Sequence, residues 1–152
     1  MKELDQTDID IIRALQADAR LSVRELAAKV HRSTTPVFER LRRLEADGVI
    51  KSYSAQIDMD KIGRGFTVFC NVRLSHINTQ IHIDFAREVE AMPEVSECYN
   101  VSGEFDYMLK VQVPDMKSYR HFVTDRLGLL PMVDSVQSVF VMEDLKRSVV
   151  LI

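Results

Sequence analysis

Arginine and hydroxyl side chains are concentrated between His31 and Arg43, where the sequence reads HRSTTPVFERLRR. The segment contains four arginines and one acidic residue, a local net charge of +3. Arginine binds phosphate and guanine edges, and threonine contacts phosphate or thymine methyl groups. We therefore expect a contact with double-stranded DNA, made by Arg32, Ser33, Thr34, Thr35, Phe38, Arg40, Arg42, Arg43 and Lys51.

An arginine-rich helix is more often a solvated surface, so this interpretation depends on the neighbouring elements. Ser22 and Glu25 fit a capping box at the start of one short helix. After a break at residues 31–32, Ser33 is expected to cap a second helix with Pro36 in its first turn, and Gly48 to end it. The inward positions at helical spacing are Val23, Leu26, Ala27, Val30, Val37, Leu41 and Leu44. Two capped helices joined by a short turn predict a helix-turn-helix.

The chain on either side completes a three-helix unit. Residues 4–18 predict the first helix, with Thr7 as its cap. One face of this helix carries Leu4, Asp8, Ile11, Ile12 and Leu15. After Gly48, the spacing of Val49, Tyr53 and Ile57 predicts an extended wing on which Lys51 reaches a phosphate.

Charge is distributed unevenly over the 152 residues. The net charge is −3, which argues against a polycation that coats nucleic acid without orientation. Residues 1–55 carry ten basic and nine acidic side chains, and residues 56–152 carry ten basic and fourteen acidic ones. Any contact with nucleic acid is therefore expected to be local and to involve the first half of the chain.

The second half changes from helical to alternating periodicity. Strands are predicted at 66–74, 95–102, 107–113 and 136–142, and helices at 79–92 and 116–130 with Asp115 as a cap. The order βαββαβ predicts a ferredoxin-like unit. The expected fold class is α+β, with a winged helix-turn-helix domain over 1–55, a linker over 56–65 and a βαββαβ domain over 66–152 for effector binding and oligomerisation.

Several strands carry apolar residues on both faces, for example Phe66, Val68 and Phe69. Two helices cover only one face of such a sheet. The other face is expected to pair with the sheet of a second copy, giving a homodimer.

Cys70 and Cys98 lack metal-type spacing and are expected to be buried, reduced thiols. The sequence contains no run long enough to span a membrane and no secretory signal at its start, which favours the cytoplasm. We expect no membrane partner, no metal and no cofactor.

The ordered set of motifs resembles the Lrp/AsnC (leucine-responsive, feast/famine) family of bacterial and archaeal transcription regulators over nearly the whole chain. The matching pieces are Leu4-Asp5 with Asp8, Leu15-Gln16, Asp18-Ala19-Arg20, Glu25-Leu26-Ala27, Ser33 with Pro36, Arg40, Arg43-Leu44-Glu45, Gly48-Val49-Ile50, Tyr53 and Val101–Tyr107. The resemblance implies a DNA-binding winged helix-turn-helix and a second domain that dimerises and binds an amino acid. It also implies dimers that assemble further, commonly to octamers.

In that family the ligand binds between dimers, near the loop matching Gly103–Tyr107. The stretch GEFDYMLKVQVPDM is similar to the leucine-responsive members, which implies leucine or methionine as effector. Glu104 stands where the family often has Asp. The expected effector-binding residues are Asn100, Gly103, Glu104, Asp106, Tyr107 and Met116.

The chemistry of this loop gives weaker, independent support. Asp106 offers an anion to an ammonium group, and backbone N–H groups near Gly103 offer donors to a carboxylate. Leu109 and Met116 are expected to line an apolar slot for the side chain. A plain hairpin turn with a solvated Asp explains the same residues equally well.

Two other functions are weighed against a sequence-specific, effector-responsive regulator. An enzyme would have to use groups on the second domain, but no pair there has a nucleophile–base or metal-ligand arrangement. The candidates are His76, His82, Asp84, Asp106, His121 and Asp125. Alternatively, the chain is an interaction module in which the helix-turn-helix packs only against protein, which Phe38 would suit.

Overall fold

The computed structural model describes residues 3–76 and 78–146 and divides the chain after residue 56. The first unit contains three helices, and the second, Ile57–Asp144, contains an antiparallel sheet with two helices. All of residues 51–65 are described, and they form turns but neither helix nor strand. In the described ranges no helix is long and apolar enough to cross a membrane.

The first helix, α1 (Gln6–Ala17), is capped by Asp5, so the predicted cap at Thr7 is wrong. The Asp5 carboxylate accepts the N–H of Asp8 at 3.0 Å, and the Asp8 carboxylate accepts the N–H of Asp5 at 3.2 Å. Ionised acceptors are favoured at the positive end of the helix dipole. This reciprocal pair places Thr7 inside the helix.

The second and third helices, α2 (Val23–Lys29) and α3 (Thr34–Ala46), form the predicted helix-turn-helix. The capping box of α2 is confirmed, because Glu25 N–H donates to Ser22 Oγ at 3.3 Å and Ser22 N–H donates to Glu25 Oε2 at 2.8 Å. The turn passes through His31 at φ 53°, an uncommon conformation for a residue with a Cβ. Ser33 occupies the N-cap position of α3, but its side chain makes no capping hydrogen bond to the described first turn.

The end of α3 is the predicted glycine stop. Gly48 has φ 70°, and the N–H groups of Val49 and Ile50 both donate to Leu44 O, at 2.9 and 3.1 Å. The predicted wing strand is absent from residues 49–58, which pair with no strand in the described part of the chain. An extended segment needs a partner strand for its backbone groups, and none of the strands in the described ranges supplies one.

The core of the first unit is small and lies between the three helices. It is formed by Ile11, Leu15, Leu26, Ala27, Val30, Val37 and Leu44. These are the inward positions that the helical spacing predicts. A further residue, Asp8, is as buried as this core, with 0% of its surface exposed.

The second unit confirms the predicted βαββαβ order. Its elements are β1 (Phe66–Leu74), α4 (Thr79–Glu90), β2 (Val95–Asn100), β3 (Tyr107–Val113), α5 (Met116–Asp125) and β4 (Val133–Phe140). All pairings are antiparallel, and the strand order in the sheet is β2-β3-β1-β4. Asp115 caps α5 as predicted, but α5 ends at Asp125 and a short 3-10 helix, Leu127–Leu129, follows it. The last strand begins at Val133 rather than at residue 136.

The two faces of the sheet differ in burial. One face packs against the helices through Val68, Cys70, Val72, Leu109 and Val111 of the sheet and Phe85, Val89, Tyr119 and Phe122 of the helices. The other face carries Phe69, Tyr99, Met108 and Val139. Tyr99 and Val139 are each 49% exposed, so this second face is left open in the single chain. Cys98 is exposed on the edge strand, contrary to the expectation that both thiols are buried.

Candidate nucleic-acid interface and effector loop

The exposed face of α3 carries the side chains suited to a DNA groove. Thr34, Thr35, Phe38 and Arg42 are all exposed, and Phe38 retains 46% of its surface. The guanidinium carbon of Arg42 lies 5.8 Å from the centroid of the Phe38 ring, within cation–π range. Because the two residues are four apart on a helix, this contact orients Arg42 along the exposed face.

Three further predicted DNA-binding residues flank this face. Ser33 and Arg32 precede the helix, and both are exposed. Arg32 Nη1 donates to the carbonyl of His31 at 3.1 Å. Lys51 is exposed just after the turn that ends α3. Their side chains are accessible to a phosphate on either side of the helix.

Arg40 and Arg43 differ from this description, and the expectation that they face outward is wrong. Arg40 Nη1 donates to Asp5 Oδ2 at 2.6 Å and to Asp8 Oδ1 at 2.8 Å. Arg43 Nη2 donates to Asp8 Oδ2 at 2.5 Å. Both oxygens of Asp8 are thus held by arginines of α3. Only about a third of each arginine side chain is exposed, 30% and 28%.

The electrostatics of this four-residue network favour its ionised form. Burial raises the pKa of Asp8, but the hydrogen bond from Arg40, the amide of Asp5 and the charge of Arg43 outweigh burial and hold the pKa below its usual value. The hydrogen bond that Arg40 donates to Asp5 likewise lowers the pKa of Asp5, and the same bond raises the pKa of Arg40. The carboxylates therefore remain charged partners of the two arginines at neutral pH.

The sequence contained one signal for this network. Asp8 stands on the apolar face of the first helix, among positions that become the core. A carboxylate at such a position is rarely buried without a cation. Asp8 on this face therefore indicates a basic partner on a neighbouring helix.

In the second unit, the loop between β2 and β3 is held by backbone hydrogen bonds. Gly103 has φ 123°, a conformation that favours glycine. Val101 N–H and Asn100 Nδ2 both donate to Asp106 O at 2.9 Å, and Asp106 N–H donates to Val72 O at 2.9 Å. Asn100 and Asp106 are thereby joined across the loop that contains Gly103.

The two acidic residues of the loop have different partners. Asp106 Oδ2 accepts the backbone N–H of Leu74 at 2.7 Å, which fixes the carboxylate beside the end of β1. Glu104, whose side chain is 72% exposed, is paired with Arg73 at 3.2 Å, and Arg73 Nε also donates to Glu104 O at 3.0 Å. The charge of Glu104 is therefore compensated within the chain, and Asp106 is the better-placed anion.

Tyr107 points to α4 rather than into the loop. Its hydroxyl lies 2.7 Å from Nδ1 of His82, and its ring centroid lies 4.5 Å from that of Phe85. Only 6% of Tyr107 is exposed, and burial raises the pKa of its phenol. Tyr107 anchors the loop to α4. His82 holds the Tyr107 hydroxyl, and this contact could not be read from the sequence.

Met116 is not brought to the loop within one chain. Tyr107 pairs with Val72 at one end of β3, and Val113 pairs with Phe66 at the other end, next to the start of α5. A strand of this length separates Met116 from the loop by about 20 Å. Met116 and Gly103–Tyr107 therefore do not form one slot within a protomer, and the assignment of Met116 to the effector site stays a prediction.

The described residues contain no group of three or more His, Cys, Asp or Glu side chains that could hold a metal ion. The histidines named as enzyme candidates have other partners: His82 contacts Tyr107, and His121 is paired with Asp125 on α5. The two candidate surfaces are the exposed face of α3 and the loop between β2 and β3.

Comparison with known proteins agrees with both surfaces. A winged helix-turn-helix DNA-binding model matches residues 4–51, and an Lrp/AsnC ligand-binding-domain model matches residues 67–151. The leucine-responsive regulatory protein of Escherichia coli is 39% identical over 147 residues, which are 97% of this chain and 90% of that protein. The chain belongs to the Lrp/AsnC family of transcription regulators.

Solved structures of Lrp/AsnC regulators share the whole fold. A transcriptional regulator of Neisseria meningitidis, crystallised with L-methionine, is 35% identical with a TM-score of 0.92, over 98% of this chain and 96% of that one. An AsnC-family regulator of Agrobacterium tumefaciens is 37% identical with a TM-score of 0.89, over 95% and 94% of the two chains. The family and fold class expected from the sequence are confirmed.

The winged helix-turn-helix model and the Lrp/AsnC ligand-binding model divide the described elements between two tasks. The DNA-binding model spans α1 to α3 and includes the network of Asp5, Asp8, Arg40 and Arg43. The ligand-binding model spans the sheet, α4 and α5, and includes the loop at Gly103. The protein is accordingly a regulator with a DNA-binding domain and an amino-acid-binding domain.

Proposed function

We propose that this Lrp/AsnC regulator binds a specific DNA sequence through α3 and that an amino acid with an aliphatic side chain, leucine or methionine, modulates its assembly. The observation that carries the proposal is the exposed face of α3. Thr34, Thr35, Phe38 and Arg42 share this face, while the opposite side of the helix is fixed by the core and by Asp8.

The DNA-binding part rests on shape and chemistry. A helix of 13 residues is about 20 Å long and fits the major groove of B-DNA. Arg42 is assigned to a phosphate at the edge of the groove, and Phe38 and the threonines suit thymine methyl groups. Ser33, Arg32 and Lys51 flank the helix and are proposed to contact phosphates, which position the protein on the duplex.

The effector part rests on the loop. Asp106 is held by Leu74 N–H through Oδ2, and we assign its other carboxylate oxygen to the ammonium group of the amino acid. Backbone N–H groups at Gly103, where a side chain is absent, are assigned to the carboxylate. Support for an aliphatic side chain comes from the L-methionine complex of the Neisseria regulator and from the leucine-responsive protein of Escherichia coli.

The assembly part rests on the open face of the sheet. Phe69, Tyr99, Met108 and Val139 lie on the face that α4 and α5 do not cover. The polar side chains between them are paired, Asn71 with Gln137 and Lys110 with Glu97. We propose that a second copy covers this face in a homodimer, and that dimers join further, to octamers, around the effector loops. Met116 then completes the slot from a different protomer, since it lies far from the loop of its own.

The proposed link between the effector and DNA is a shift in assembly. An amino acid that binds one assembly better than another changes their proportions, and with them the spacing of the DNA-reading helices. The proposed location is the cytoplasm, because a regulator must reach the chromosome. No catalytic step belongs to the proposed function.

Thermal-shift screening of the standard amino acids tests the effector proposal first. A ligand that binds only the folded protein raises its melting temperature by mass action. We expect leucine or methionine to do so, and sedimentation velocity to show a changed distribution of assemblies at saturation. Binding without any change in that distribution would contradict the assembly shift, and no stabilisation by any amino acid would contradict effector binding.

A further inference from the structure

The four arginines in and next to α3 fall into two pairs with different surroundings. Arg40 and Arg43 donate to carboxylates of α1, whereas Arg42 lies over the Phe38 ring and Arg32 donates to a backbone carbonyl. We propose that Arg40 and Arg43 are positioning residues that orient α3 through Asp8, and that contacts with DNA fall to Arg32, Arg42 and Lys51. This inference rests on the proposed DNA-binding function and specifies which residues perform it.

The carboxylates beside Arg40 and Arg43 support the separation of these two arginines from Arg32 and Arg42. Two guanidinium groups face two carboxylates, Asp5 and Asp8, at distances between 2.5 and 2.8 Å. The network is therefore close to neutral and contributes little attraction for phosphate. The +3 charge expected from the sequence between His31 and Arg43 overstates the positive charge that a duplex would meet.

The geometry of α3 separates the two pairs in space. At 3.6 residues per turn, the direction shared by Arg40 and Arg43 lies about 150° around the helix axis from that shared by Phe38 and Arg42. Thr34 and Thr35 project on the same side as Phe38. A groove that receives Phe38 and Arg42 therefore faces away from the carboxylate network.

Burial of Asp8 makes an exchange of partners costly. Only 1% of the Asp8 side chain is exposed, and each of its oxygens accepts from one of the two arginines. If a phosphate removed Arg43, Oδ2 of this buried carboxylate would lose its cationic partner and keep only the Asp5 N–H at 3.2 Å. The N-cap Ser33 makes no side-chain capping hydrogen bond to the described helix, so the contacts with Asp5 and Asp8 are the polar side-chain contacts that join α3 to α1.

The salt dependence of DNA binding separates the two classes of arginine. Fluorescence anisotropy of the full chain with a duplex from its own upstream region gives log affinity against log salt. Each lost phosphate contact flattens this slope by about 0.9. We expect Arg42→Gln to flatten the slope by that amount, and the double variant Asp8→Asn/Arg43→Gln to keep the wild-type slope.

The double variant is chosen because it removes one negative and one positive charge together. Asn and Gln can still form a hydrogen bond between α1 and α3, and no unpaired carboxylate is left buried. Circular dichroism melts establish that each variant is folded at the assay temperature. A slope flattened equally by Arg42→Gln and by the double variant would overturn the inference.

A second readout tests positioning as distinct from stability. We expect Asp8→Asn to lower the ratio of operator affinity to affinity for an unrelated duplex by about tenfold, without flattening the slope. If Asp8 only stabilises the fold, the melting temperature falls while the ratio stays at its wild-type value, and the positioning role is refuted. Should Asp8→Asn not fold, the ratio is measured on the double variant, which also lacks the ionic anchor.

Failure of the proposed function gives a different result. In that case the wild-type chain shows neither a preference for the operator nor a steep salt dependence. The inference about the arginines fails on its own when the wild-type chain binds the operator and loss of Arg43 flattens the salt slope as much as loss of Arg42.

Discussion

The carboxylate of Asp106 accepts the backbone N–H of Leu74 at 2.7 Å, which joins the loop between β2 and β3 to the end of β1. The bond uses one carboxylate oxygen, Oδ2, and orients the group at the loop. The acidic neighbour in the loop, Glu104, is instead paired with Arg73. The two acidic residues of one loop thus have separable roles, and this separation can be tested.

We expect Asp106→Asn to keep the loop and to weaken amino-acid binding by about tenfold to a hundredfold. Asparagine retains an oxygen for Leu74 N–H but loses the charge, and a hydrogen bond to a charged group contributes about 1.5–3 kcal/mol. Isothermal titration calorimetry with leucine and methionine measures the effect. Glu104→Gln is the matched control, and equal losses in the two variants would contradict the assignment of the ammonium site to Asp106.

The acid stability of the first unit should depend on Asp8. The pKa of Asp8 is lowered below its ordinary 3.8 in the folded chain, so its ionised form stabilises the fold above that value. This contribution is complete at pH 5 and above, and is lost as the pH falls through 3.8 and then through the lower folded pKa. The free energy of unfolding, measured with urea at several pH values between 6 and 3, reports this loss.

The Asp8→Asn variant provides the control for this measurement. It should be less stable than the wild-type chain at pH 7, by about 2 kcal/mol, because the arginines lose a buried anionic partner. Its stability should also fall less steeply below pH 4. If the pH dependence is the same with and without the Asp8 carboxylate, other groups account for the acid sensitivity.

The exposed ring of Phe38 should contribute to DNA recognition and little to folding. Because 46% of Phe38 is exposed, Phe38→Ala is expected to change the melting temperature by no more than a few degrees. Preference for the operator should fall about tenfold, since a base contact and the support of Arg42 are both lost. Operator preference that survives this change, together with an altered assembly state, would favour a protein-binding role for the helix-turn-helix.

The open face of the sheet should control dimerisation. Val139→Lys places a charge on this face, whereas Ile83→Lys places one on α4, and both residues are 49% exposed. Sedimentation equilibrium is expected to give a weakened dimer for Val139→Lys and an intact dimer for Ile83→Lys. The sheet-to-sheet dimer would be refuted by a Val139→Lys chain that dimerises as the wild type does.

Much of the fold could be predicted because local rules determine it. The Ser22–Glu25 capping box, the stop at Gly48, the cap at Asp115 and the alternation along β1 each involve residues close in sequence. Their physical causes lie within a turn or a strand. The order of elements followed from them, and the family was indicated by the resemblance of the ordered motifs.

The details that failed depend on contacts between distant residues. Arg43 and Asp8 are 35 residues apart, and Leu74 and Asp106 are 32 apart. Neither pairing can be read from local spacing. Two further details could not be read from local spacing. The extended segment after Gly48 forms no strand in the described residues, because a strand requires a partner strand. Met116 lies far from the loop of its own protomer, and a slot that spans chains cannot be assembled from one. Asp8 is the exception, because an acid on an apolar helix face indicates from the sequence that a distant basic partner is needed.

The most direct measurement of the central claim is fluorescence anisotropy on two duplexes of equal length and composition, one from the chain's own upstream region and one with that sequence shuffled. Each is titrated with the full chain, with and without saturating leucine or methionine. We expect tighter binding to the native sequence and a change in affinity or in assembly on DNA when the amino acid is present. Equal affinity for the two duplexes, unchanged by either amino acid, would contradict the account.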